Sequence, residues 1–245
     1  MLSKLVLSGI LCVSLVFVMG CNPTSSSSSG TTTILTEGFE KNLSSWSSQY
    51  MINIDDPTYP QMRITTDAAH TGTHSLTSDS TTTALIYSLP EKLQGSDSAL
   101  VYLQFYMMAK AYGEANFTVQ IGQDAGSSGG LFKKFGFGFN TNDSIETVYF
   151  DNDNTDMTNN GYTETPISKI TLNHWYKCVV EIDYRSSVAN YYLDSVLVRT
   201  AALPTREMYG IDKLLILRGV EPSAESSSGP KKYYVDDISL YTKKQ

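Results

Sequence analysis

Strict alternation of apolar and polar side chains is the feature that most constrains this chain. In Ala99–Ala109, Val101, Leu103, Phe105 and Met107 fall on one side, with Tyr102, Gln104 and Tyr106 on the other. Phe117, Val119 and Ile121 alternate with Asn116, Thr118 and Gln120, and Phe135, Phe137 and Phe139 alternate with Gly136 and Gly138. Tyr176, Cys178, Val180 and Ile182 alternate with Lys177, Val179 and Glu181. Successive side chains of a strand point to opposite faces, so period-two patterning predicts strands with one buried face. Shorter runs at Ile34–Phe39, Ile145–Phe150, Tyr191–Val198, Lys213–Leu217 and Tyr233–Tyr241 extend the series, and no helical period competes with it. The expected fold is all-β, an antiparallel β-sandwich in one domain over residues 31–245. Composition agrees: 16 Tyr, 9 Phe and 17 Gly suit strands and turns. At 41% hydrophobic, 245 residues suffice for a large core. A net charge of −7 argues against a nucleic-acid partner, whose phosphates require clustered Lys and Arg. Three Cys can build neither a disulfide framework nor a four-ligand zinc site.

Residues 1–20 read as a secretory signal: Lys4 supplies the charged start and Leu5–Val18 the apolar run, interrupted by Ser8, Gly9 and Ser14. The run is too short and too broken for a membrane span. It ends in Val18-Met19-Gly20-Cys21, which resembles the lipobox of bacterial lipoproteins. That resemblance implies lipidation of Cys21 and a membrane anchor, with residues 21–30 as a Ser-rich tether. Loss of Lys4 would leave 17 basic against 25 acidic residues, a charge of −8. Cys178, within an apolar strand pattern, reads as a buried small hydrophobe. The resemblance places the chain in the bacterial cell envelope. Asn22 where inner-membrane lipoproteins carry Asp favours the outer membrane or cell surface.

The ends of the remaining chain carry a second resemblance. Glu37-Gly38-Phe39-Glu40-Lys41-Asn42-Leu43-Ser44-Ser45-Trp46, His70-Thr71-Gly72-Thr73-His74-Ser75-Leu76 and Tyr233-Tyr234-Val235-Asp236-Asp237-Ile238-Ser239-Leu240 resemble segments of carbohydrate-binding jelly rolls. Trp175–Tyr184 and Asn190–Val198 resemble the hairpin of laminin G-like domains, with Ser195 at the usual turn glycine. Both groups share the concanavalin A-like sandwich, so the resemblance implies a jelly roll. It also implies a structural calcium tying the first strand to the last. The matching groups are Glu40, Asp236 and the His70–Thr73 backbone, with Thr71 at its centre and Asp237 as the alternative acid. Calcium takes six to eight hard oxygens, which carboxylates and carbonyls supply. Asp236 shares strand parity with the apolar Tyr234, Ile238 and Leu240, and a carboxylate facing a core must be paired or metal-bound.

The tyrosines suggest a sugar platform, because sugar rings stack their C–H faces on aromatic rings while Asn and Gln read hydroxyls. A hairpin of 99–109 with 116–122 would set Tyr102, Gln104 and Tyr106 beside Asn116, Thr118 and Gln120. The alternative is a packed interface with a second sheet. Trp46 and Trp175 read as core. Glu181-Ile182-Asp183 resembles the opening of the Glu-x-Asp-x-x-Glu signature of laminarinase-type hydrolases, but Ser186 stands where the second Glu belongs. Retaining hydrolysis needs both carboxylates, so no catalytic residues are assigned. A lyase would have to use His174, Tyr176 and Arg185. Nucleophile elbow, Walker loop and His-Glu-x-x-His are missing from the sequence, and the Gly126–Gly130 and Asp151–Asp156 segments read as solvated loops. The expected function is non-catalytic binding of an extracytoplasmic polysaccharide. The alternatives are a polysaccharide lyase or glycoside hydrolase on the same fold, and a structural or protein-binding surface domain.

Overall fold

The computed structural model describes residues 30–50, 62–78, 83–93, 99–112, 115–124, 131–140, 142–151, 161–203, 210–220 and 233–244. The signal, Cys21 and the glycine loop lie outside them, as does nearly all of the Asp151–Asp156 segment. In chain order the strands are β1 (Thr31–Glu37), β2 (Ser47–Tyr50), β3 (Arg63–Thr65), β4 (Ser75–Ser78), β5 (Thr83–Leu93), β6 (Ala99–Ala109), β7 (Ala115–Asp124) and β8 (Leu131–Phe139). They continue as β9 (Ser144–Asp151), β10 (Gly161–Lys169), β11 (Tyr176–Asp183), β12 (Val188–Leu193), β13 (Val196–Ala202), β14 (Ile211–Val220) and β15 (Tyr233–Lys244). All pairings are antiparallel, and no helix occurs among the described residues.

Sheet A has the order β13-β12-β11-β6-β15-β4-β3, with β1 also pairing β15. Sheet B has the order β10-β9-β8-β7-β14-β5-β2. The two pack face to face through the alternating apolar positions. Phe105 and Tyr191 of sheet A meet Phe137 of sheet B edge-on, at ring-centre distances of 6.4 and 5.6 Å. Tyr233 stacks on Phe117 and Phe139. Cys178 and Val180 are wholly buried in this layer, and burial pushes the Cys178 thiol pKa up, which leaves it an inert core side chain.

Two local devices shape the sheets. In β8 a Cβ on Gly136 would fall on the carbonyl oxygen of Val119, and one on Gly138 would meet Thr118. The glycines of the Phe-Gly-Phe-Gly-Phe run therefore let β7 lie close against β8. Between β12 and β13, Asp194 and Ser195 adopt φ of 49° and 70°, the double left-handed requirement of the tight hairpin turn. Ser195 thus does the work expected of glycine. The Asp194 Oδ1 oxygen also accepts the Lys177 N–H at 2.9 Å, tying the turn to β11.

Two expectations need correction. β6 and β7 form no hairpin: β6 lies between β11 and β15 in sheet A, β7 between β8 and β14 in sheet B. Tyr102, Gln104 and Tyr106 therefore share no face with Asn116, Thr118 and Gln120. The parity of Asp236 is also reversed, because β15 carries a bulge between Asp236 and Ser239, with Asp237 at φ 49°. Ile238 and Leu240 point into the core, whereas Asp236 sits opposite Tyr106 on the outer face of sheet A.

Candidate functional site

The outer face of sheet A is a register of polar and aromatic side chains. One cross-strand row reads Thr200, Asn190, Glu181, Tyr102, Tyr241, Thr33, one residue from each of six strands. Its members are wired together. The Thr200 hydroxyl donates to Asn190 Oδ1 at 2.8 Å, and Asn190 Nδ2 donates to Glu181 Oε1 at 3.0 Å. The Tyr102 hydroxyl donates to Glu181 Oε2 at 2.6 Å. Tyr102 and Tyr241 stack with ring centres 5.0 Å apart, and the Lys243 ammonium lies 4.8 Å from the centre of the Tyr102 ring. Partial burial, then the Glu181 bond, push the Tyr102 phenol pKa upward, so it stays a donor.

The next row reads Tyr192, Val179, Gln104, Ser239. All four are partly exposed, and the side chains of Tyr192 and Gln104 make no hydrogen bond among the described residues. Row three holds Tyr106, whose ring is covered by His70 at 3.5 Å, with Trp175 edge-on to that histidine at 5.7 Å. Tyr102 and Tyr106 thus each spend a ring face on a neighbour, while Tyr192 does not. Of these rows, sequence reasoning marks only Tyr102, Gln104 and Tyr106 as ligand contacts, takes Glu181 only as a hydrolase carboxylate, and does not single out Tyr192. The alternation of Asn190 and Tyr192 with the buried Tyr191 and Leu193 already placed Tyr192 outward.

The outer face of sheet B differs. Thr118, Gln120 and Glu146 are all but fully buried, as are Ala84, Ile86 and Leu215. Gln120 Nε2 donates to Thr118 Oγ1 at 2.6 Å, and Asn140 Nδ2 donates to Glu146 Oε2 at 3.0 Å. Asn116 is partly exposed at the end of this face. Gln120 is therefore a covered side chain, not a platform member.

The third locus is a corner where β1, the 66–74 loop and β15 meet. Asp236, fully buried, accepts the N–H groups of His70 (2.8 Å) and Thr71 (3.4 Å) on Oδ2 and that of Asp237 (2.7 Å) on Oδ1. Asp237 accepts the Thr71 hydroxyl at 2.7 Å, and its other oxygen lies 2.6 Å from His70 Nδ1. Glu40 accepts the N–H groups of Thr73 (2.8 Å) and His74 (3.0 Å) and the Thr73 hydroxyl (3.0 Å), with His74 Nδ1 at 3.1 Å. The His74 ring and these N–H groups lower the Glu40 pKa to about 2; burial pushes that of Asp236 up to about 6. The sequence brought Glu40, Thr71 and Asp236 to one corner, but the arrangement does not fit calcium. The loop turns N–H groups, not carbonyl oxygens, toward both carboxylates, and calcium needs oxygens. Nor do three His, Cys, Asp or Glu side chains converge as a metal set among the described residues.

Of the residues of the hydrolase and lyase alternatives, His174 and Tyr176 are brought together, edge-on with ring centres 4.5 Å apart, but Arg185 is not. Asp183 Oδ1 caps the turn after β11 by accepting the N–H groups of Arg185 and Ser186. His174 lies 3.5 Å from Asp194, before β11, and the buried Tyr176 uses its hydroxyl oxygen to accept the Thr171 N–H. Arg185 follows the opposite end of that strand. Trp46 is core, its indole N–H donating to Glu37; Trp175 is half-buried at the rim.

No protein-family model and no curated protein sequence matches the chain. Solved structures do. The globular domain of T. cruzi calreticulin is similar at TM-score 0.62 and 12% identity, over 85% of this chain and 88% of that one. Bacillus licheniformis β-glucanase is similar at TM-score 0.55 and 11% identity, over 84% and 96%. The cellulose induced protein Cip1 is similar at TM-score 0.53 and 13% identity, over 84% and 96%. These likenesses establish the fold as the concanavalin A-like jelly-roll sandwich.

Proposed function

We propose that the chain is a non-catalytic polysaccharide-binding lipoprotein that engages its ligand on the outer face of sheet A. The observation that carries this reading is the pairing of a hydrogen-bonded row with an unengaged one. Thr200, Asn190, Glu181 and Tyr102 are fixed by one another before any ligand arrives, so little side-chain entropy is lost on binding. Beside them, Tyr192 offers a ring for a sugar C–H face, and Gln104 offers an amide to hydroxyls. Val179 between them and Ser239 beyond Gln104 keep the floor of the row low. Fold neighbours that include a β-glucanase and a cellulose induced protein are in keeping with a glycan ligand.

The experiment is a panel of soluble polysaccharides tested by calorimetry against the wild type, Tyr192→Ala and Gln104→Ala. Loss of one stacked ring should weaken binding roughly two- to tenfold. Binding without new reducing ends or unsaturated products separates this function from a hydrolase or lyase. Absence of binding across the panel would move the chain to a structural or protein-binding role.

The envelope placement belongs to the same reading. The lipobox-like Val18–Cys21 and the tether through Gly30 lead directly into Thr31 of β1, so the sandwich would stand close to the outer membrane or cell surface. Acyl labelling that persisted in Cys21→Ala would sink the anchor.

A further inference from the structure

We infer that the 70–74 loop is an anion-holding nest occupied by the chain's own carboxylates, closing the sandwich corner without a cation. Backbone N–H groups that converge on one concavity create a positive potential suited to an anion. Here His70 and Thr71 aim theirs at Asp236, and Thr73 and His74 aim theirs at Glu40. Gly72 separates the two pairs at φ 63°, and a Cβ there would overlap the Glu40 carboxylate. Only glycine gives both the left-handed turn and the room for that close approach. The hydroxyls of Thr71 and Thr73 and the rings of His70 and His74 complete the set, so each of the six oxygens of Glu40, Asp236 and Asp237 has a partner. A calcium ion at this corner would face the positive ends of four peptide dipoles.

Apart from the local Asp237 N–H bond, the contacts span sequence separations of 33 to 167 residues and join the segment after β1, the loop before β4 and the bulge of β15. Such bonds tie distant segments, so their loss should be felt as loosening of the whole corner. The clasp does for the first and last strands what a bound cation does elsewhere, using donors the chain already owns.

The test is thermal unfolding and amide hydrogen exchange of the full chain in EDTA and in millimolar calcium chloride. The expected result is one midpoint in both buffers, with the His70, Thr71, Thr73 and His74 amides protected in EDTA. Glu40→Gln should lower the midpoint and speed exchange at Thr73 and His74 while sparing His70 and Thr71. Gly72→Ala should speed exchange at all four. Should Gly72→Ala fail to fold, the wild-type and Glu40→Gln comparison still decides. A midpoint that rises with calcium, or amides protected only in calcium, overturns the inference, as does Glu40→Gln with wild-type exchange at Thr73 and His74.

Discussion

The two outer faces of the sandwich are built from the same alternation and have opposite fates. On sheet A the outward residues of β11 and β12, with Tyr102, Gln104 and Tyr106 of β6 and Ser239 and Tyr241 of β15, stay partly exposed, and one row of them bonds sideways. On sheet B the outward Thr118, Gln120 and Glu146 are covered, and two glycines of β8 take outward positions where a Cβ would strike β7. Polarity alone therefore does not mark a binding surface. What separates the faces is whether water reaches the polar groups, and with it what each hydrogen bond is worth. In the open row, water can replace a lost partner; on the covered face it cannot, and an orphaned group carries its full desolvation cost.

Gly136→Ala should give the largest effect, because its methyl group would be driven into the Val119 carbonyl and the Gln120 backbone of the adjoining strand. Overpacking of this kind costs about 1–3 kcal/mol or more. The matching change on the open face, Ser239→Ala, should stay within about 0.5 kcal/mol. Urea unfolding of both variants measures the contrast. Equal costs would mean that β7 and β8 are not held close by the glycines.

A smaller contrast comes from one carboxylate on each face. Glu146→Ala removes the acceptor of a buried Asn140 amide and should cost about 1–3 kcal/mol. Glu181→Ala removes the acceptor of Tyr102 and Asn190, but both lie where water can reach them, so the loss should be below about 1 kcal/mol. Its effect should appear instead in ligand affinity, as Tyr102 and Asn190 lose their fixed positions. A stability loss for Glu181→Ala as large as that for Glu146→Ala would show that the open face is closed as well.

Much of this was legible in the sequence, and the failures have physical causes. Alternation located β6, β7, β8 and β11 and separated their core sides correctly, down to the buried Phe105, Val119, Phe137 and Val180. It could not say which sheet each strand joins, since period two fixes a face and not a neighbour. The 110–114 connection carries no tight-turn signature of the kind that forces a hairpin, and the chain crosses there from sheet A to sheet B. Counting by twos also fails across a bulge, so one left-handed residue, Asp237, moved Asp236 from the expected core side to the outer face. The corner residues Glu40, Thr71 and Asp236 were found by their resemblance to other jelly rolls. The direction of the loop's N–H groups, which decides between anion and cation, is a backbone property that side-chain identities do not report.

The corner also shows that exposure can differ within one face, and pH should resolve it with the smallest effect of the series. Asp236 has its pKa raised from 3.8 to about 6 by burial, so between those values the folded state binds more protons than the unfolded one. This group favours the folded state most below pH 4 and loses that advantage as pH rises through 6. Glu40 is lowered from 4.5 to about 2, so its contribution is present above pH 4.5 and is lost as pH falls toward 2. The two act in opposite directions, and the unfolding midpoint should rise from pH 7 to near 4.5 and then fall. Differences between variant and wild type isolate each group. Asp236→Asn should flatten the rise, and Glu40→Gln should flatten the acid fall while leaving the rise in place. If Glu40→Gln instead removed the rise, the buried and exposed carboxylates of the clasp would have to exchange roles, and the covered spot on the open face would lie at Glu40.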